Sequence, residues 1–156
     1  MIDETLSHRL CDGIKEGCIN LQSINLTNNN LGPQGIYALT GAIYYCPGLT
    51  KLSIAHNFIR DEGCQTMCEY LSLKSCPLLE LDMADNFITE QSARYLLGML
   101  DYYELSDYMQ DEDILRNGSL TLLDLSRNDI CTMKRDLRLA EQRRGFKLRI
   151  LSENLR

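Results

Sequence analysis

One spacing of apolar residues and asparagine, Leu-x-x-Leu-x-Leu-x-x-Asn-x-Leu, returns four times along the chain and limits its fold more tightly than any other feature. The copies run through Leu21, Ile24, Leu26, Asn29 and Leu31, then Leu49, Leu52, Ile54, Asn57 and Ile59. The third holds Leu78, Leu81, Met83, Asn86 and Ile88, and the fourth Leu120, Leu123, Leu125, Asn128 and Ile130. Apolar residues two apart, as in Leu52-x-Ile54, leave the residue between them on the opposite face, which is the period of a short strand with one buried side. The asparagine falls where the chain turns off that strand. A side-chain amide buried there bonds backbone groups that no ladder partner serves, so Asn29, Asn57, Asn86 and Asn128 read as structural rather than binding residues.

The distance between copies decides what lies between the strands. Leu21 and Leu49 are 28 residues apart and Leu49 and Leu78 are 29, which leaves room for a full helix. GIYALTGAIYYC carries Ile36, Leu39 and Ile43 at helical spacing, GCQTMCEYLSLKSC carries Cys64, Met67 and Leu71, and the third copy carries Ala93, Leu96 and Leu100. Helices are about 10 Å wide and paired strands about 4.8 Å apart, so stacking unit on unit curves the array with its strands inside. The pattern resembles the leucine-rich repeat family over nearly the whole chain. Units of this length are similar to its ribonuclease-inhibitor-like subfamily. The resemblance implies an α/β solenoid, a curved horseshoe segment with parallel strands on the concave face and helices on the convex face, and a protein that binds another protein.

At 156 residues the chain is expected to be one domain, 1–156. Within it we expect a half-repeat helix at 1–20, three repeats at 21–100, an acidic insertion at 101–117, a fourth strand unit at 118–131, and a capping helix and strand at 132–156. ETLSHRLCDGIKEGC places Leu6, Leu10 and Ile14 on one helical face, fit to cover an open end of the stack. The polar start and the lack of any apolar run near 18 residues argue against a leader or anchor. Seven cysteines, an odd number, point to a reducing compartment, so a cytoplasmic location is expected, with the cytoskeleton or nucleus as variants. Cys18, Cys46 and Cys76 precede their leucines at repeat positions. The net charge of −6 speaks against nucleic acid.

The residues between the buried leucines form the expected binding face. They are Ser23, Asn25, Thr27 and Asn28; Lys51, Ser53, Ala55 and His56; Glu80, Asp82, Ala84 and Asp85; and Leu122, Asp124, Ser126 and Arg127. This face turns acidic along the chain, through Glu80, Asp82, Asp85 and Asp124, and fits a partner protein with a basic surface. The candidate contacts are Asn25, Lys51, Ser53, His56, Glu80, Asp82, Asp85, Asp124 and Arg127. A second candidate surface is the insertion DYYELSDYMQDEDILRN, where Tyr102, Tyr103 and Tyr108 alternate with carboxylates.

After Ile130 the repeat weakens. Thr132 is placed to cap a helix carrying Met133, Leu137 and Ala140, and the alternation Phe146-x-Leu148-x-Ile150 predicts a fifth, edge strand. Seven basic residues from Lys134 to Arg149 against Asp136 and Glu141 suit a cap that stops further pairing.

Catalysis, metal and cofactors find no support. His8 and His56 lack triad neighbours, and Cys64-x-x-x-Cys68 reads as buried thiol packing rather than a metal pair. The function expected is therefore a non-catalytic interaction scaffold or adaptor, without membrane or nucleic acid. Two alternatives follow from the family resemblance. One is regulation of a small GTPase of the Ran type, for which Arg60 and Arg127 are the loop arginines. The other is capping of a filament end as in the tropomodulin repeat domain.

Overall fold

A computed structural model describes residues 9, 12–14, 20–73, 76–100 and 120–150. Five three-residue strands, β1 (Ser23–Asn25), β2 (Lys51–Ser53), β3 (Glu80–Asp82), β4 (Leu122–Asp124) and β5 (Lys147–Arg149), form one sheet in chain order. Every pairing is parallel and in repeat register. Ile24, Leu52, Leu81, Leu123 and Leu148 therefore make one column, and all five are buried. Ile54, Met83 and Leu125, two residues further on, are fully buried as well. The alternation read from the sequence is thus the real strand period.

The helices α1 (Gly32–Ile43), α2 (Arg60–Leu71), α3 (Glu90–Leu100) and α4 (Lys134–Arg144) return the chain across one side of the sheet, and successive helices pack together. Their apolar triads enter a single core with the strand leucines. Helix α1 starts three residues before the stretch that begins at Gly35, and α2 three before Gly63. Both glycines lie inside their helices. A Cβ on Gly35 would stand 2.9 Å from Leu31 Cβ, and one on Gly63 3.0 Å from Ile59 Cβ, so they let the helix press onto the turn that feeds it. Among the described residues of the first segment, 12–14 are helical and Ile14 is buried.

The asparagines tie one unit to the next. The Asn57 amide donates to the carbonyls of Ile54 (3.0 Å) and Ala55 (2.9 Å) in its own turn and of Leu26 (2.8 Å) in the preceding unit. Asn86 repeats this with Ala84 and Ile54, and its Oδ1 accepts the backbone N–H of Asn57 at 2.7 Å. Asn128 bonds Leu125 and Met83 and accepts the N–H groups of Asn86 and Ile88. Asn29 bonds only the carbonyls of its own turn among the described residues and is half-buried.

Strand β5 follows the Phe146-x-Leu148-x-Ile150 alternation, and its outer edge is covered. The Leu148 N–H donates to Glu141 Oε1 (2.7 Å), and the Leu148 carbonyl accepts from Arg138 Nη1 (2.8 Å). Arg138 also bonds Glu141 Oε2 at 2.7 Å. Side chains of α4 therefore occupy the groups that another strand would use. Thr132 does not cap α4: Met133 holds that place without a side-chain bond, and the Thr132 N–H donates instead to Glu90 Oε1 of the preceding unit. The Thr132 side chain bonds Glu90 as well, so its hydroxyl serves the neighbouring unit rather than the first N–H groups of α4.

Two outcomes are expected in urea unfolding. Asn86→Ala strands several buried backbone groups and should cost about 3 kcal/mol, against about 1 kcal/mol for Asn29→Ala; equal losses would contradict the ladder. Burial pushes the Glu141 carboxyl up, but its bonds to Leu148 and Arg138 and the charges of Arg138 and Lys147 hold it below the ordinary value. Its stabilising effect is present above the unfolded-state pKa and fades as pH falls through the lower folded value. The stability gap between wild type and Glu141→Ala should accordingly narrow on acidification below about pH 4.

Candidate functional site: the open face of the sheet

Strand alternation sends two columns of side chains away from the helices. The first is Ser23, Lys51, Glu80, Leu122 and Lys147, and the second is Asn25, Ser53, Asp82, Asp124 and Arg149. A third follows at the turns, with Asn28, His56, Asp85 and Arg127, all in left-handed backbone at φ of 61°, 54°, 51° and 61°. The nine sequence-predicted contact residues in 21–130 all lie in these columns. Ala55, assigned to the same face, is instead 4% exposed, since a lone methyl between packed units leaves little surface. Tyr102, Tyr103 and Tyr108 of the insertion lie outside the described residues.

The columns are cross-linked from strand to strand. Lys51 Nζ meets Glu80 Oε1 at 2.8 Å, and Arg149 Nη1 stands 3.7 Å from Asp124 Oδ2. Asp85 Oδ2 serves both His56 Nδ1 (3.0 Å) and Arg127 Nε (3.3 Å). Ser53 donates its hydroxyl to Asp82 Oδ2 at 2.9 Å and shares a 2.7 Å bond with Thr27. Asn25, Asp82 and Asp124 each accept, through Oδ1, the N–H two residues on, which fixes their orientation.

Sequence reasoning missed Lys147 and Arg149 as members of this face, although the alternation around Leu148 holds that information. With β5 in place, the four carboxylates Glu80, Asp82, Asp85 and Asp124 stand against the four cations Lys51, Arg127, Lys147 and Arg149. The acidity read from the first four strands is balanced by the fifth. Asp82 is the carboxylate of the four with no cation within ion-pair distance among the described residues, and it lies in register with Asp124.

Elsewhere, Cys64 and Cys68 are buried on one face of α2. The contact with Cys64, and then burial, push the Cys68 thiol well up, so it is an inert packing group. Among the described residues no cluster of three or more potential ligands could hold a metal ion, and no helix is long and apolar enough to cross a membrane.

Comparison with known proteins agrees with this geometry. A family model described as "Leucine Rich repeat" matches residues 17–39 and 45–68. Human NACHT, LRR and PYD domains-containing protein 14 is 27% identical over 127 residues, 80% of this chain and 12% of that protein. The rat NACHT, LRR and PYD domains-containing protein 3 is 30% identical over 78% of this chain and 10% of its own length. Mouse ribonuclease inhibitor is 35% identical over 58% of this chain and 20% of its length. The chain thus spans a small part of each of these relatives. Among solved structures, the tropomodulin C-terminal domain of Caenorhabditis elegans superposes with a TM-score of 0.68 at 17% identity, covering 96% of this chain and 84% of that one. Leiomodin-1 actin-binding site 2 gives 0.69 at 15% identity, covering 93% and 79%.

A parallel sheet built from helix-bearing units and sealed by stacked asparagines defines a leucine-rich repeat solenoid. The chain belongs to the leucine-rich repeat family and is of the ribonuclease-inhibitor-like kind.

Because Asn25 already makes the turn bond that Asp82 and Asp124 make, the double change Asp82→Asn/Asp124→Asn preserves it and removes two like charges in register. Its unfolding free energy should stay within about 0.5 kcal/mol of wild type or exceed it. A loss of about 2 kcal/mol would show that these carboxylates serve the fold.

Proposed function

We propose that this protein is a non-catalytic protein-interaction scaffold that docks a partner protein on the open face of its sheet. The observation that carries this reading is a five-strand polar face that no helix covers among the described residues, whose side chains are oriented by cross-strand bonds while Asp82 has no cation among those residues. Groups held in place before binding lose less entropy on association. Asn25, Lys51, Ser53, His56, Glu80, Asp82, Asp85, Asp124 and Arg127 form the contact surface. The partner presents a basic side chain to Asp82, the carboxylate of this face that has no cation among the described residues and that stands in register with Asp124. Nucleic acid is disfavoured by the chain's net charge of −6. The location proposed is cytoplasmic, cytoskeletal or nuclear, supported by free cysteines at Cys64, Cys68 and Cys131.

A second reading, contact with actin at a filament end, is favoured by the likeness to the tropomodulin C-terminal domain and to the leiomodin-1 actin-binding site. Sedimentation with filamentous actin and the rate of filament-end growth test it directly. The main reading is tested by affinity capture from the source cell with wild-type and Asp82→Asn/Asp124→Asn baits, followed by titration of the purified partner. At least a tenfold loss of affinity, roughly 1.4 kcal/mol, is expected in the double variant. Equal affinity would remove the sheet face from consideration.

A further inference from the structure

We propose that a groove at the rim of the stack, carrying Phe58 and Phe87, is a second docking site that takes an extended segment of a partner protein with an apolar side chain next to an arginine or lysine. It lies beyond the C-terminal ends of β2 and β3, between the first turns of α2 and α3, and encloses about 540 Å³. The sheet-face reading plays no part in it.

Each phenylalanine follows its ladder asparagine by one residue. Asn30 and Asp129 fill the same place in the flanking units, so a short polar side chain satisfies the fold there. Phe58 and Phe87 instead combine two unfavourable features. Both sit in left-handed backbone, at φ of 56° and 58°, where a bulky residue is strained. Both are also exposed, by 48% and 60%. The rings stack on each other with centroids 5.4 Å apart and planes 12° from parallel, which presents one continuous aromatic shelf to solvent. Arg60, also lining the groove, adds a third left-handed residue at φ 55° where the first unit has Gly32. Strain and exposed apolar area concentrated at one spot, and absent from the equivalent places in the flanking units, point to binding rather than folding.

The charges around the shelf define the occupant. Asp61 and Glu62 stand on its lining against one guanidinium, that of Arg60, and none of the three is ion-paired among the described residues. Asp61 is fixed by neutral donors only, the Thr89 N–H (2.8 Å), the Thr89 hydroxyl (2.7 Å) and the Ser92 hydroxyl (2.6 Å). Its negative charge is therefore held in place and left uncancelled. An aromatic shelf bordered by net negative charge complements an apolar group flanked by a cation, which gains both ring-face and carboxylate contact. A second copy of this chain would bring the same negative rim and is disfavoured.

The test is a ¹⁵N NMR titration of the full chain with three nine-residue synthetic peptides on a Gly/Ser background. One has a central Leu flanked by two Arg, one a central Leu flanked by two Glu, and one a central Ser flanked by two Arg. The Leu/Arg peptide should shift amides in 58–62 and 87–91 and bind at least tenfold more tightly than the other two. Phe58→Asn/Phe87→Asn, which installs an asparagine like that of the first unit, should abolish this with melting unchanged, and Glu62→Gln should weaken it severalfold. Asp82→Asn/Asp124→Asn should leave it intact, so the two surfaces fail or succeed separately. Equal binding of the Leu/Glu peptide, shifts confined to the sheet face, or no shift in 58–62 and 87–91 would overturn the proposal. So would self-association in sedimentation velocity that Phe58→Asn/Phe87→Asn removes.

Discussion

The stack stands on a side-chain amide used as a piece of backbone. Three-residue strands cannot hold a sheet by ladder bonds alone, because each contributes too few of them before the chain must turn. Asn57, Asn86 and Asn128 supply the missing bonds at the turn: each amide donates to its own unit and to the one before, and the Oδ1 of each accepts an N–H from the preceding unit. All three are buried, where such bonds are worth most and leaving them unmade costs most. The leucine columns supply most of the burial, but hydrophobic contact is non-directional. The amides fix which unit meets which and in what register.

Register, once fixed, determines the surface. A slip of one residue would send the polar columns into the core. With the asparagines seated, Lys51 comes opposite Glu80, Ser53 opposite Asp82 and Asp124 opposite Arg149. The open face is thus an ordered arrangement of paired charges rather than a solvated fringe, even though exposed ion pairs add little to stability. The same geometry aligns Phe58 with Phe87 at the rim, because residues one place beyond the ladder asparagine are also stacked.

Nearly all of the fold could be read from the sequence, since apolar spacing and the asparagine place carry it. Strands, helix faces, buried columns and the turn role of Asn57, Asn86 and Asn128 follow from periodicity alone. The apolar spacing does not mark where the helices start, and the close packing that the missing Cβ of Gly35 and Gly63 allows inside α1 and α2 shows only in the structure. Thr132 looks like a cap locally, but its side chain and its N–H both bond Glu90 of the neighbouring unit. The balance of charge on the open face was hidden for a similar reason. It depends on β5, where the repeat has lost its asparagine and only three apolar residues mark the strand. The rim groove left no periodic signal at all, because Phe58 and Phe87 occupy a place the consensus leaves free, and their meaning emerges from contrast with Asn30 and Asp129.

The account depends most on the asparagine amides acting as permanent parts of the sheet, which native-state hydrogen exchange tests directly. The N–H groups of Asn57, Asn86 and Ile88 are bonded to the Oδ1 of the following unit and should exchange only through global unfolding, as slowly as the strand amides of Leu52 and Leu81. Exchange of these three at the rate of exposed turns, while the strands remain protected, would contradict it.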